Sequence, residues 1–206
     1  MFILDDSFES ERENTIQSIL QMAMGSAADS LENLIDSPVE VTEPGINWVR
    51  KNSLEESLSN IHLPSKSILM RQSFRGHLRG EMLILLEHGS KHFELGKVMG
   101  YQGKLSRQDL QELTLELANV LSGACINGIS NELKINLHFD APTLLEGTSN
   151  LLDFFQNRNA SWIDALFLDV EYKVNSIAMH NHLIFCMVEK DSHEFYKLIG
   201  KRINNK

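Results

Sequence analysis

Two side chains that can bind or orient a polar group lie three residues apart in an otherwise mainly apolar stretch of the chain. The stretch is LELANVLSGACINGIS, and the two side chains are Glu116 and Asn119. A carboxylate accepts hydrogen bonds and pairs with cations, whereas an amide offers both a donor and an acceptor. Residues three apart are neighbours on one face of an α-helix. The pair can therefore act together on a bound group if the stretch is helical.

The spacing of apolar residues predicts that this stretch belongs to a long helix, SRQDLQELTLELANVLSGACINGISNEL. Ser106 is the predicted N-cap, and Asp109 three residues later resembles a capping box. At about 100° per residue, one stripe about 60° wide carries Glu112, Glu116, Asn119 and Gly123. Most of the aliphatic residues gather on the opposite side, so the polar pair is predicted to project outward.

Two readings of this stripe remain open. It is either the solvated face of an amphipathic helix or a surface on which a partner docks. Gly123 favours docking, because glycine costs a helix about 1 kcal/mol against alanine unless something approaches closely. Leu115 and Ile126 border the stripe and are expected to offer apolar surface beside the polar pair.

The chain contains a second, altered copy of the same stretch. Residues of similar type recur 98 positions apart, and the pairs are Gly25 and Gly123, Ala27 and Cys125, Leu31 and Ile129, Val39 and Leu137, Val41 and Phe139, and Pro44 and Pro142. Near the end of each half, Glu87 and Phe93 match Glu189 and Phe195 at a shift of 102. A period this long indicates a duplicated unit rather than a solenoid repeat.

Each copy is predicted to contain a long helix, a strand, a short helix, two strands and a helix. In the first copy these elements lie at about 7–35, 38–44, 53–61, 67–76, 78–87 and 90–101. In the second they lie at 106–133, 136–142, 148–157, 161–174, 177–189 and 191–203. The expected fold class is α+β: one domain, 1–206, with pseudo-two-fold halves of about 5–103 and 104–206. Two long helices pack on a shared, mainly antiparallel sheet.

Composition narrows the functional class. The chain has 206 residues and a formal net charge of −9, which argues against nucleic acid and anionic membranes as partners. Cys125 and Cys186 lie in apolar runs and are expected to be buried thiols. The N-terminal MFILDDSFESERE is unlike a signal peptide, and no apolar run reaches the roughly 20 residues of a membrane helix. The expected location is cytoplasmic.

Histidines give a weaker signal. His180 and His182 share one face of a predicted strand, and His193 follows. His88 and His92 flank a Gly-Ser turn. Without cysteines at ligand spacing these are interpreted as surface or half-buried histidines, and no metal site is predicted.

The segments ELANVLSGA, 116–124, and AMGSAADSLENLIDSPVEVTEP, 23–44, resemble the duplicated signatures of the CheC/CheX/FliY family of chemotaxis phosphatases. The family pattern is Glu-x-x-Asn with a glycine four residues later on each of two long helices. The second copy matches it through Glu116, Asn119 and Gly123. The first copy departs from it, because Ser18 and Gln21 precede Gly25 where the pattern has glutamate and asparagine. The resemblance therefore implies one intact site and one degenerate site.

The resemblance implies an enzyme that hydrolyses the aspartyl phosphate of a CheY-like response-regulator receiver domain, in chemotaxis or a related two-component pathway. It gives Asn119 the role of holding the attacking water and Glu116 that of pairing with a lysine of the regulator. Glu112, Leu115, Gly123 and Ile126 would contact the partner. No cofactor of its own is expected, and Mg²⁺ would belong to the receiver domain.

The alternative function is a non-catalytic interaction module of the chemotaxis or flagellar-switch type. Flagellar switch proteins share the family's fold without the Glu-x-x-Asn pair, and some members act by binding a CheD-like deamidase, which is a second expected partner. The intact pair favours catalysis. The altered first copy keeps the alternative open.

Overall fold

The structure is a computed structural model that describes residues 6–42, 44–50, 56, 67–87, 94, 96–101, 105–145, 151, 155, 162–174 and 177–204. The helices in this part of the chain are α1 (Asp6–Ile35), α2 (Arg107–Leu133) and α3 (Glu189–Asn204). The strands are β1 (Val39–Val41), β2 (Gly45–Arg50), β3 (Ser67–Gly76), β4 (Gly80–Glu87), β5 (Leu137–Phe139), β6 (Thr143–Leu144), β7 (Trp162–Val174) and β8 (Ile177–Val188).

The strands of both halves form one antiparallel sheet, which confirms the predicted shared sheet, and their order in it is β1-β7-β8-β4-β3-β5. β2 also pairs with β7, and β6 also pairs with β3. The short strands of each half therefore pair with the first long strand of the other half, while β4 and β8 pair at the centre. The duplicated halves are interleaved within the sheet.

The helices cover one face of this sheet. Their buried residues form the larger core with inward-facing residues of the strands, among them Leu20, Leu117, Leu168 and Ile199. A smaller apolar cluster lies on the opposite face, where Leu151 and Phe155 pack against residues such as Phe167 and Ile184. Cys125 and Cys186 are both buried and free, which confirms their interpretation as buried thiols.

The two long helices approach each other closely. A Cβ added to Gly128 of α2 would lie 2.5 Å from the Cβ and 2.6 Å from the Cα of Ala23 in α1. A larger residue at position 128 would therefore push the two helix backbones apart. This contact holds α2 firmly against the rest of the molecule.

The predicted capping box at the start of α2 is confirmed. The Ser106 side chain accepts a hydrogen bond from the Asp109 backbone N–H at 3.1 Å, and the Asp109 carboxylate accepts one from the Ser106 backbone N–H at 2.8 Å. At the other end Lys134 adopts a left-handed conformation with φ +53°, and the Ile135 N–H donates to the Ser130 carbonyl at 3.0 Å. These bonds satisfy backbone groups that the helix ends leave free.

Two strand predictions need correction. β2 was not predicted, although Gly45 to Arg50 pair with Asp169 to Asp164 of β7. The strand predicted at 136–142 is shorter, because only β5 forms there, and β6 beyond it was not predicted; β5 and β6 pair with separate parts of β3. Both errors concern short edge strands, whose pairing is set by distant residues rather than by local pattern.

The predicted short helices at 53–61, 90–101 and 148–157 lie largely outside the described residues. The positions within them that the structure describes as helical are Glu56, Glu94, Gly96, Lys97, Val98, Leu151 and Phe155.

Candidate functional site

Three of the four residues of the polar stripe lie on the solvent side of α2. Glu112, Glu116 and Asn119 are all exposed, as predicted. Glu112 accepts a hydrogen bond from the Gln108 amide at 2.9 Å. Among the described residues, neither Glu116 nor Asn119 engages its side chain in a hydrogen bond or ion pair. Their polar atoms are therefore available to a molecule that approaches from outside.

A rigid element holds this pair. The opposite face of α2 is buried in the core through Leu113, Leu117 and Leu121, each no more than 2% exposed. The capping box fixes the first turn, and the contact with α1 fixes the second half of the helix. Side chains three apart on such a helix keep a constant separation, which a site that must orient a small molecule requires.

Tyr101 joins the site although no sequence pattern marked it. Its backbone N–H donates to the Gly96 carbonyl at 2.9 Å, and Gly100 before it has φ +88°. This is the pattern of a glycine-terminated helix end. The half-buried Tyr101 side chain packs against the helix-side core. The sequence signal that could have marked this region is the helix end at Lys97–Gly100. Periodicity alone does not predict the position of the residues that follow a helix end.

The carboxylates of the stripe influence the Tyr101 phenol. Burial raises the pKa of the Tyr101 phenol, and the carboxylates of Glu116, Glu112 and Asp109 raise it further. The phenol therefore stays protonated throughout the neutral pH range. A protonated phenol can donate a hydrogen bond.

Gly123 does not provide the partner contact expected of it. The residue is buried, and a Cβ there would lie 3.2 Å from Cζ of Phe139 in β5. The close approach that explains this glycine is made by the protein's own ring. The helical wheel missed this because it describes α2 alone and contains no information on the strand that follows.

Ile126 also lies elsewhere than expected. Its side chain is 1% exposed and belongs to the core, so it presents no apolar surface beside the pair. Leu115 is half-buried and remains the apolar neighbour of Glu116 on the accessible side. Of the predicted docking residues, Glu112, Leu115, Glu116 and Asn119 are therefore the ones that remain accessible.

The equivalent face of α1 is also accessible. Ser18 and Gln21 are exposed, and beside them Met22 is 44% exposed. A Cβ added to Gly25 would meet nothing within 4 Å. The two faces thus differ in two ways: α1 lacks the carboxylate–amide pair, and its glycine is uncovered where Phe139 covers Gly123.

Comparison with solved structures identifies the fold. FliY from Thermotoga maritima superposes with a TM-score of 0.69 over 98% of this chain and 100% of that chain, at 14% identity. The FliM middle domain from H. pylori superposes with a TM-score of 0.61 over 91% of this chain and 98% of that chain, at 12% identity. CheX from Desulfovibrio desulfuricans superposes with a TM-score of 0.52 over 82% of this chain and 99% of that chain, at 12% identity. No protein-family model and no curated protein matches the sequence.

The chain has the CheC/CheX/FliY fold. The resemblance noted from the sequence is thereby confirmed at the level of fold, together with the α+β class. The identities of 12–14% carry the likeness no further than fold. The shared fold does not define an activity, which depends on the side chains of this chain.

Other polar groups of this CheC/CheX/FliY fold lie away from the stripe. His182 is buried at 3% exposure, with Nδ1 3.6 Å from an Asp169 carboxylate oxygen, while His193 is exposed. His88 and His92 lie outside the described residues. Within the described part of the chain, no three His, Cys, Asp or Glu side chains are grouped to hold a metal ion. No described helix combines the length and apolar character needed to cross a membrane.

Proposed function

We propose that the protein accelerates hydrolysis of the aspartyl phosphate on a CheY-like response-regulator receiver domain in chemotaxis or a related two-component pathway. The observation that carries the proposal is the exposed Glu116–Asn119 pair on a rigid helix, without a partner for either side chain among the described residues. The pair stands on a fold shared with FliY and CheX.

The reaction needs a positioned water rather than a strong base. The water oxygen bonds to phosphorus while the bond from phosphorus to the aspartyl oxygen breaks, which yields inorganic phosphate and a free carboxylate. The acyl phosphate has a good leaving group, and the receiver domain's own Mg²⁺ spreads the phosphoryl charge. In the proposal, the Asn119 amide holds the water in line through its donor and its acceptor.

Glu116 has a separate role in this proposal. Its carboxylate pairs with a lysine of the receiver domain and sets the register in which the partner docks. Leu115 adds apolar contact beside it, and Glu112 lies one turn earlier on the same face. Tyr101 borders this surface, with its phenol protonated at neutral pH.

The test is the rate of phosphate loss from a phosphorylated CheY-type receiver domain in the presence of Mg²⁺. Asn119→Ala is expected to lower the maximal rate about 100-fold, the order of magnitude found when one positioning donor is removed from a site. Binding of the receiver domain should remain. Glu116→Ala is expected to act mainly through weaker docking, and therefore to raise KM.

Asn127→Ala is the matched control. This asparagine is exposed on the same helix about 12 Å beyond Asn119 at 1.5 Å per residue. It should leave the rate unchanged. An equal decrease in the rate of phosphate loss with Asn119→Ala and with Asn127→Ala would mean that the amide at position 119 has no special role.

A non-catalytic interaction module is the second candidate function. It is favoured by the α1 face, which keeps an exposed methionine and an open glycine but lacks the carboxylate–amide pair. FliM middle domains also share this fold. In this case receiver domains or a CheD-like deamidase would bind without any change in the rate of phosphate loss.

A further inference from the structure

A basic cleft lies at the far end of α2 from the Glu116–Asn119 pair. It has a volume of about 320 Å³ and is formed where the end of α2, the turn between β3 and β4, and the last turns of α3 meet. The polar residues that line it are His77, Glu132, Lys134, Lys201 and Arg202. The volume lies at the lower end of the range for pockets that hold small molecules.

The charge of the cleft is opposite to that of the chain. Three of its side chains, Lys134, Lys201 and Arg202, are cationic, whereas the protein carries a formal net charge of −9. Glu132 is the one carboxylate in the lining, and it is paired with Arg202 at 3.1 Å. The lining therefore has more positive than negative charge.

Glu194 is a further carboxylate beside the lining residue His77, and it is already engaged. Its hydrogen bond with Lys197 lowers the pKa of this carboxyl, and His77 and Lys201 lower it further. Its oxygens lie 3.2 Å from the Lys197 Nζ and 3.6 Å from the His77 Nε2. Lys134 has no ion-pair partner among the described residues.

Cations at helix C-termini are often explained by the helix dipole. The duplicated half of the molecule argues against that explanation for Lys134. Its counterpart 98 positions earlier is Asp36, which ends α1 in the same left-handed conformation, φ +49° against φ +53°. The backbone accepts either sign of charge at this position, so the helix end does not require a lysine.

The other two cations also have no counterpart in the first half. At the shift of 102 that aligns the ends of the halves, Lys201 and Arg202 correspond to Met99 and Gly100. The duplicated fold is therefore formed without this cluster in one half. None of the three cations of the cleft recurs at the aligned position of the first half, so the cluster is specific to the second half.

Three cationic side chains around a small cleft suit a compact, multiply charged oxyanion. Ammonium groups bind phosphate as point charges, and a guanidinium donates several hydrogen bonds in one plane. We propose that the basic cleft binds a phosphate group, carried either by inorganic phosphate or by a phosphorylated small molecule. Lys134 and Lys201 would contact the anion directly, and Arg202 would do so while held by Glu132.

This proposal is independent of the phosphatase proposal. Lys134 follows Asn119 by 15 residues, about 22 Å along a helix at 1.5 Å per residue. Substitutions in the cleft therefore leave the stripe intact, and loss of one function does not imply loss of the other.

The test is calorimetric titration of the full chain at constant ionic strength with inorganic phosphate and, separately, with glycerol 2-phosphate. Constant ionic strength removes the general effect of salt on a charged protein. Lys134→Asn is the informative variant, because asparagine tolerates the left-handed conformation and keeps the helix end. Lys190→Gln is the control, since Lys190 is exposed at the start of the same helix as Lys201.

The wild type is expected to bind at least one of the two ligands saturably, with Lys190→Gln unchanged. Lys134→Asn should bind about fivefold more weakly, the factor expected for one partly exposed ion pair, with its thermal stability in the absence of ligand preserved. Tighter binding of glycerol 2-phosphate would assign the cleft to a phosphorylated small molecule, and tighter binding of phosphate would assign it to the free ion. Absence of saturable binding by both ligands, or equal binding by wild type and Lys134→Asn, would overturn the proposal.

Discussion

The proposed chemistry depends on two side chains, Glu116 and Asn119, whose counterparts in the other half differ by small changes. Ser18 replaces a carboxylate with a short hydroxyl, and Gln21 keeps an amide but carries it on one more methylene than Asn119. Both positions are as exposed as Glu116 and Asn119. The first face therefore lacks the proposed docking charge and has a less constrained amide.

Restoring the pair on α1 is a gain-of-function prediction. Ser18→Glu combined with Gln21→Asn is expected to raise phosphatase activity per molecule by up to about twofold, because a second equivalent site would act independently. The activity should be measured in an Asn119→Ala background, where any gain comes from α1 alone. No gain in that background would show that receiver domains cannot dock on this face.

The two glycines give a prediction about stability. Gly25→Ala is expected to raise the free energy of unfolding by up to about 1 kcal/mol, since alanine favours the helix and its Cβ meets open space. The free energy of unfolding of Gly123→Ala should be about 1 kcal/mol lower than that of Gly25→Ala, because the Phe139 ring must move to admit the Cβ. Urea unfolding of both variants measures the difference. Equal effects would mean that Phe139 does not restrict position 123.

At the level of elements, α2 is the component on which both proposed sites depend. It carries the Glu116–Asn119 pair on its exposed side and ends at the basic cleft. Its first turn is fixed by the reciprocal bonds between Ser106 and Asp109. These bonds lower the pKa of the Asp109 carboxyl.

The capping box predicts a pH dependence of stability. Because the pKa of Asp109 is lower in the folded state, its contribution is fully present above the unfolded pKa and is lost as pH falls through the folded value. Asp109→Asn should therefore be less stable than wild type at pH 7, and the two unfolding free energies should converge below about pH 4. A difference that persists unchanged at low pH would show that the ionised carboxylate is not what stabilises the cap.

At the level of the whole molecule, strands of the two halves are interleaved. β1 and β2 pair with β7, while β5 and β6 pair with β3. Each half by itself would expose unpaired strand edges and the inner face of its long helix. One domain over residues 1–206 therefore remains the prediction.

The corresponding experiment compares the whole chain with its halves. Fragments 1–103 and 104–206 are expected to lack cooperative unfolding separately and to regain it when mixed, whereas the full chain should unfold in one transition. Circular dichroism against urea measures this. A cooperative transition in either isolated half would contradict the prediction.

Sequence patterns predicted the elements in which apolar residues recur at a regular helical or strand spacing. The helices α1, α2 and α3 and the long strands β3, β4, β7 and β8 follow from runs long enough to show a helical or strand repeat. The exposed positions of Glu116 and Asn119 followed from the same reasoning.

The remaining features depend on contacts between distant residues. β2 exists through pairing with β7, and Gly123 is covered by a ring from β5. Ile126 is buried by elements that a helical wheel does not contain, and Tyr101 reaches the stripe through a turn that ends a different helix. No local pattern encodes these approaches, which explains why Gly123 and Ile126 were predicted to be accessible although both are buried.

In the proposed function, α2 carries the catalytic pair and α1 does not. The most direct measurement is phosphate loss from a radiolabelled CheY-type receiver domain with Mg²⁺, comparing wild type, Asn119→Ala and Gln21→Ala at saturating protein. Wild type and Gln21→Ala are expected to accelerate phosphate loss alike, and Asn119→Ala is expected to give a rate about 100-fold lower. No acceleration by folded, receiver-bound wild type, or equal losses in the two variants, would contradict it.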